Sequence, residues 1–220
     1  MSPSLHDHQK CGAMDAVRLL ICYYSSSGAN YQLARWAEEG AKTDGAEVKL
    51  TRVKETAPEA SIKENKAWEK NYRTTLHVPE TTLQDLEWAD AIIFSAPTRY
   101  GVVASQMRQF IDSTGKLWAE AKLSNKVVSA MSSAINTHGG QEATILSFYT
   151  SMFHWGAIVA APGYTDPVLF RAGGNPYGVS VSVDYDGKIK EDHDIIQKAV
   201  HHQVHLTVII ERIPATACDD

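Results

Sequence analysis

Three consecutive hydroxyls and a conformationally free glycine stand together in Ser25-Ser26-Ser27-Gly28-Ala29-Asn30, a composition suited to ligating a phosphate monoester at the start of a helix. A second stretch, Pro97-Thr98-Arg99-Tyr100-Gly101, pairs a fixed positive charge with an aromatic ring. Arg99 can donate to a ring carbonyl and Tyr100 can lie along a planar ligand. The third, residues 132–140, follows the apolar run at 126–131. Each has a plainer reading, since serines also cap helices, a lone Arg is ordinarily a surface charge, and a loop Tyr can simply pack. All three stretches follow short apolar runs, however, and the carboxyl ends of parallel strands are where open α/β sheets bind ligands, which favours the phosphate-and-ring reading. His154 ends a helix, where it can bond the last carbonyls or border a redox ring, and Trp118 can be core or a site wall.

Known alternatives are excluded by spacing. No Gly-x-Gly-x-x-Gly or Walker motif follows the first strand, so neither a dinucleotide nor a triphosphate is expected as principal ligand, and no Gly-x-Ser-x-Gly nucleophile elbow occurs. His201, His202 and His205 have helical spacing but no fixed carboxylate or Cys partner, so a solvated helix face is expected and no metal site.

The elements that must position these loops alternate between strand and helix, which predicts a parallel sheet covered on both faces. Strands are expected at 18–23, 47–53, 91–95, 126–131 and 157–161. Helices are expected from about Asn30 to a left-handed stop at Gly45, around 83–88, over 104–118, 141–155 and 195–210. Residues 54–78 read as a polar insertion, functional or used in assembly, and 163–187 as a long Gly- and Pro-rich loop.

The 220 residues suffice for one domain, placed at 17–212, with a disordered extension at 1–16 and a tail at 213–220. A net charge of −5 without a basic cluster argues against nucleic-acid binding, and no apolar run is long enough for a membrane span. Cys11, Cys22 and Cys218 form no framework, so a cytoplasmic protein is expected.

The quoted loops resemble those of the flavodoxin-like type IV NAD(P)H:quinone oxidoreductases, the WrbA family, over about residues 17–212. Its specific parts are Tyr23-Tyr24-Ser25, the 97–101 stretch with Gln106-Met107-Arg108, Leu117-Trp118-Ala119, Gly139-Gly140-Gln141-Glu142, and Gly173-Gly174-Asn175-Pro176-Tyr177-Gly178. The resemblance implies a flavodoxin-like doubly wound α/β sandwich with a five-stranded parallel sheet of order 2-1-3-4-5 and helices on both faces. It implies FMN, with its phosphate on Ser25, Ser26, Ser27, Gly28, Ala29 and Asn30. The flavin ring would lie against Pro97, Thr98, Arg99, Tyr100 and Gly101, with a third contact from Ser133, Ala134, Asn136, Thr137 and His138. His154 would stand beside the flavin and Trp118 would border quinone and nicotinamide, giving Arg99, His154 and Trp118 catalytic roles. A homotetramer, or a dimer, would complete each site between neighbours. This chain departs from the family at Ser27 and Ala29, where Tyr and His are usual, at Ile135 in the third loop, and at Trp155, which stands where a second His is common. An aromatic wall for the nicotinamide would then be missing, and Trp155 would add bulk where substrate stacks. The expected reaction is ping-pong transfer from NAD(P)H through flavin N5 to a small-molecule quinone. The rival is an FMN-binding electron carrier or scaffold of the same fold, and a further variant is a reductase for nitro- or azo-aromatics.

Overall fold

The computed structural model describes residues 16–212, so the expected N-terminal extension and C-terminal tail, with Cys11 and Cys218, lie outside the described residues. β1 (Arg18–Tyr23) sits between β2 (Glu47–Arg52) and β3 (Ala91–Arg99), and β5 (Val127–Ala134) follows β3, all parallel. Registers such as Ile21↔Leu50, Ile21↔Ile93 and Ile93↔Ser129 align the strand ends in one row. Successive β1 side chains serve opposite cores, as strand geometry requires. Leu19 and Ile21 meet α1 (Ala29–Thr43) and α9 (His193–Arg212), while Leu20 and Cys22 belong with α4 (Leu83–Trp88), α5 (Ser105–Asp112) and α7 (Gln141–Trp155). Helices therefore cover both faces. Phe94 and Phe148 stack at 5.5 Å in the second core, where truncation of such a ring to Ala costs about 3–5 kcal/mol.

Among the described residues the sheet has seven strands rather than five. The parallel path β2-β1-β3-β5-β6 keeps the expected winding, and the two extra strands have local causes. β4 (Val102–Val103) is an antiparallel return on the end of β3. The expected strand at 157–161 shrinks to β6 (Ile158–Val159), because Pro162 lacks an amide and the chain leaves the sheet. It returns as β7 (Ser180–Ser182), which pairs the other half of β5 through Ser133↔Val181. The fifth strand is thus split by an excursion that holds α8 (Pro167–Arg171) where a plain loop was expected.

Two further elements differ from expectation. The single helix at 104–118 is broken into α5 and α6 (Gly115–Ala119), because Ser113 Oγ donates to the Phe110 carbonyl at 2.6 Å and Thr114 Oγ1 to that of Ile111 at 2.7 Å. These bonds satisfy the last carbonyls of α5 and end it before Gly115. The 54–78 insertion contains α2 (Glu59–Glu64) and α3 (Lys66–Thr74), the latter capped by Asn65 Oδ1 on the Trp68 amide at 3.1 Å. Among the described residues no helix is long and apolar enough to cross a membrane.

Candidate flavin site

The first loop leaves β1 through Tyr24, whose amide donates to the Ser95 carbonyl at 2.9 Å. Gly28 caps α1 at φ 106°, and its amide donates to Ser25 Oγ at 3.0 Å, closing the turn on its first hydroxyl. The amides of Ser26, Ser27, Ala29 and Asn30 find no protein acceptor among the described residues. They stand at the positive end of α1, so the donor set fits a phosphomonoester. From the insertion, Asn71 Nδ2 donates to the Ser25 carbonyl at 2.7 Å and holds the loop from outside.

Asn30 itself is 1% exposed. Its Nδ2 donates to Ser95 Oγ at 3.1 Å, and its Oδ1 accepts from Ser133 Oγ at 2.6 Å. The side chains of Asn30 and Ser133, expected to touch the cofactor, instead join the ends of β1, β3 and β5 beneath the loops. Ser132 Oγ adds a bond to the Ala96 carbonyl at 2.9 Å.

Pro97, Thr98 and Arg99 continue β3, and β4 folds back on them with Thr98↔Val103 in register. Thr98 Oγ1 accepts from the Gly101 amide at 3.2 Å and from Thr144 Oγ1 at 2.7 Å, fixing the hairpin to α7. Tyr100 is fully exposed at φ 54°, a left-handed conformation costing about 1–2 kcal/mol. Arg99 bridges two loops: Nη1 donates to the Thr98 carbonyl at 2.9 Å and Nη2 to Ser26 Oγ at 3.0 Å. Its charge lies over the phosphate end of the site.

The third loop starts later than expected, because Ser132, Ser133 and Ala134 belong to β5. Ile135, Asn136, Thr137 and His138 are exposed, with the Asn136 carbonyl accepting from the Gly139 amide and from Gln141 Nε2, each at 2.9 Å. Gly140 lets this loop reach the second one, since a Cβ there would lie 2.7 Å from Gly101 Cα. Loops two and three therefore touch, and Arg99 ties the first to the second.

His154 and Trp118 are placed elsewhere. Trp118 Nε1 donates to the His154 carbonyl at 2.7 Å, and both residues line a hollow of ≈ 260 Å³ with Arg108 and Asp112. His154 is at the opposite end of α7 from Gln141, about 20 Å along the helix axis. A single chain does not bring this pair to the three loops. Trp155 is buried with its ring centroid 6.2 Å from that of Phe94, so it packs the core and adds no bulk to a substrate stack. His202 and His205 are engaged separately, with Thr165 Oγ1 at 2.7 Å and Asp44 Oδ1 at 3.2 Å.

Sequence reading missed Glu55. Its carboxylate accepts from the amides of Thr56 and Ala57, from Gln106 Nε2, from Tyr24 OH at 3.0 Å and from Trp68 Nε1 at 2.9 Å. It joins β1, the insertion and α5 behind the first loop. Burial, then the adjoining Glu55 carboxylate, pushes the Tyr24 phenol far above its ordinary range, so it remains a donor. Nothing local in the sequence marks Glu55, whose side-chain partners Tyr24, Trp68 and Gln106 come from three separate segments.

The likeness to known proteins agrees with this geometry. Residues 16–165 match the family model described as NADPH-dependent FMN reductase. A relative from Deinococcus radiodurans named NAD(P)H dehydrogenase (quinone) is 49% identical over 87% of this chain and 96% of its own length. Another of that name, from Geotalea daltonii, is 37% identical over 90% and 98%. A WrbA-like flavodoxin from Agrobacterium tumefaciens superposes with a TM-score of 0.61 at 17% identity, over 90% of this chain and 98% of that one. Flavodoxin 2 from Bacillus cereus gives 0.56 at 15% identity over 86% and 97%. The structural likenesses establish the flavodoxin-like fold, and the family match together with the sequence relatives establishes descent: the chain belongs to the NADPH-dependent FMN reductase family.

Proposed function

We propose that the protein is an FMN-dependent NAD(P)H:quinone oxidoreductase that works by alternating two-electron half-reactions. The observation that carries this reading is the junction of three strand-end loops, in which free amides at the start of α1 adjoin the Arg99 guanidinium and the touching second and third loops. The names of the relatives from Deinococcus radiodurans and Geotalea daltonii support it.

FMN, when bound, would supply the two-electron redox chemistry between NAD(P)H and a quinone. The chain's own residues bind and orient. Ser25, Ser26, Ser27 and the amides through Asn30 take the phosphate. The 97–101 and 134–138 segments flank the ring, where backbone donors would stabilise developing negative charge, while the Arg99 guanidinium lies over the phosphate end. Asn30, Ser133 and Glu55 hold these loops in place from beneath. Trp118 is assigned to border quinone and nicotinamide and His154 to stand beside the flavin, and their remoteness from the loops of one chain is met by a homotetramer, or a dimer, in which a neighbour supplies them.

Purified protein reconstituted with FMN should be bleached by NADH or NADPH without an added reductase. Steady-state kinetics with benzoquinone should give parallel double-reciprocal lines. Intersecting lines would exclude alternating use of one site. The second reading is an FMN-binding electron carrier, favoured by the absence of His154 and Trp118 from the loops of one chain, and flavin absorbance unmoved by either nicotinamide would select it.

A further inference from the structure

Beside the first loop, a hollow of ≈ 680 Å³ opens between α3 and the turn at 184–188. Its floor is Ser27, Gly28 and Ala29, and Lys66, Lys70 and Lys188 stand around it with Asp186 as the one acidic lining residue. Lys66 and Lys70 are one turn apart on the same face of α3. Lys188 comes from the opposite wall, whose turn is pressed onto the floor: a Cβ at Gly187 would lie 2.3 Å from the Ser27 carbonyl oxygen.

The charge arrangement is not that of an ordinary solvated surface. On the same insertion Lys63 pairs with Glu59 and Arg73 with Glu69, whereas Lys66, Lys70 and Lys188 have no ion-pair partner among the described residues. In a protein of net charge −5, three such cations collected at one concavity define a local anion site. Its volume matches nucleotide-sized ligand sites, about 300–1,000 Å³, rather than a lone ion. Small residues at Ser27 and Ala29 keep the floor open.

We propose that this hollow recognises the 2′-phosphate on the adenosine half of NADPH, with Lys66, Lys70 and Lys188 as its counter-charges, and so sets a preference for NADPH over NADH. The inference rests on the NAD(P)H reading above. A phosphomonoester dianion suits point-charge ammonium groups, and the feature that separates the two nicotinamides is this group.

Calorimetric titration of FMN-loaded protein with 2′,5′-ADP and with 5′-ADP tests it. The 2′-phosphorylated nucleotide should bind about tenfold more tightly, and Lys66→Ala/Lys70→Ala should remove that margin. Lys188→Ala, on a different element, should reduce it independently, and in both variants the NADPH-to-NADH ratio of kcat/KM should fall. Equal affinity for the two nucleotides in the unmodified protein would overturn the proposal. So would a double variant that weakens FMN relative to riboflavin yet keeps its hold on 2′,5′-ADP, which would give the lysines to the flavin phosphate. Failure of the oxidoreductase reading looks different, because flavin would then stay oxidised with both nicotinamides while 2′,5′-ADP still bound.

Discussion

Asn30 is held at both ends of its side-chain amide by hydroxyls from other strands, Ser95 and Ser133, so the first loop inherits its position from the sheet. Asn30→Ala would leave both hydroxyls buried and short of a partner, at a cost of about 1–3 kcal/mol. Urea denaturation should show that loss, and flavin fluorescence quenching should show weaker FMN binding. Glu55 acts similarly from outside. Glu55→Gln keeps the shape but replaces one acceptor oxygen by a donor facing other donors, so stability should drop by about 1–3 kcal/mol. FMN affinity should fall with it, because Tyr24 and the insertion lose their shared anchor. A Glu55→Gln protein with unchanged FMN affinity would show that the carboxylate serves stability alone. At Gly140, an Ala would meet Gly101 Cα at 2.7 Å from a backbone held at φ 95°. Gly140→Ala should therefore separate the second and third loops and weaken FMN binding about tenfold, or about 1.4 kcal/mol, measured by the same titration.

Among the elements, β1 and β3 are clamped at their starts by Asp90, which accepts from the Arg18 amide and from its Nε at 2.9 and 3.0 Å. Partial burial works against the Asp90 charge, but the Arg18 bonds outweigh it and hold the carboxyl below its usual range. A carboxyl lowered in the folded state contributes stability that is complete above its unfolded value, about 3.9, and that disappears as the pH falls through the folded value. Asp90→Asn should cost roughly 1 kcal/mol at neutral pH, with the difference from the unmodified protein shrinking under acid, as read by denaturation at several pH values. Helix and strand periods made most elements legible, among them α7 with Ile145, Phe148, Tyr149 and Met152 inward. The break between α5 and α6 was not, because Ser113 and Thr114 end a helix only by turning their hydroxyls back onto it. The insertion hid α3 for another reason: Lys66–Thr74 is mostly charged and polar, with Ala67, Trp68 and Tyr72 its only apolar residues, so it reads as a polar stretch.

At the scale of the whole molecule, the three loops lie toward one end of α7 and the Trp118–His154 pair at the other. Light scattering of the FMN-loaded protein should give the mass of a tetramer or dimer, and Trp118→Ala should then raise KM for quinone more than it changes FMN affinity. A monomer with full quinone activity would remove Trp118 and His154 from the reaction. Within one chain, the sequence by itself determined the alternation of strands and helices and the three loops at strand ends, because apolar periodicity and loop chemistry are local properties, while the winding order followed from the family resemblance. Which side chains those loops turn outward was decided only by tertiary structure. Asn30 and Ser133 read as ligand donors until three strands bring each the other as a nearer partner. Lys66, Lys70 and Lys188 read as scattered surface charge until a split fifth strand and a folded insertion face them across one hollow, since convergence of distant residues leaves no trace in their spacing.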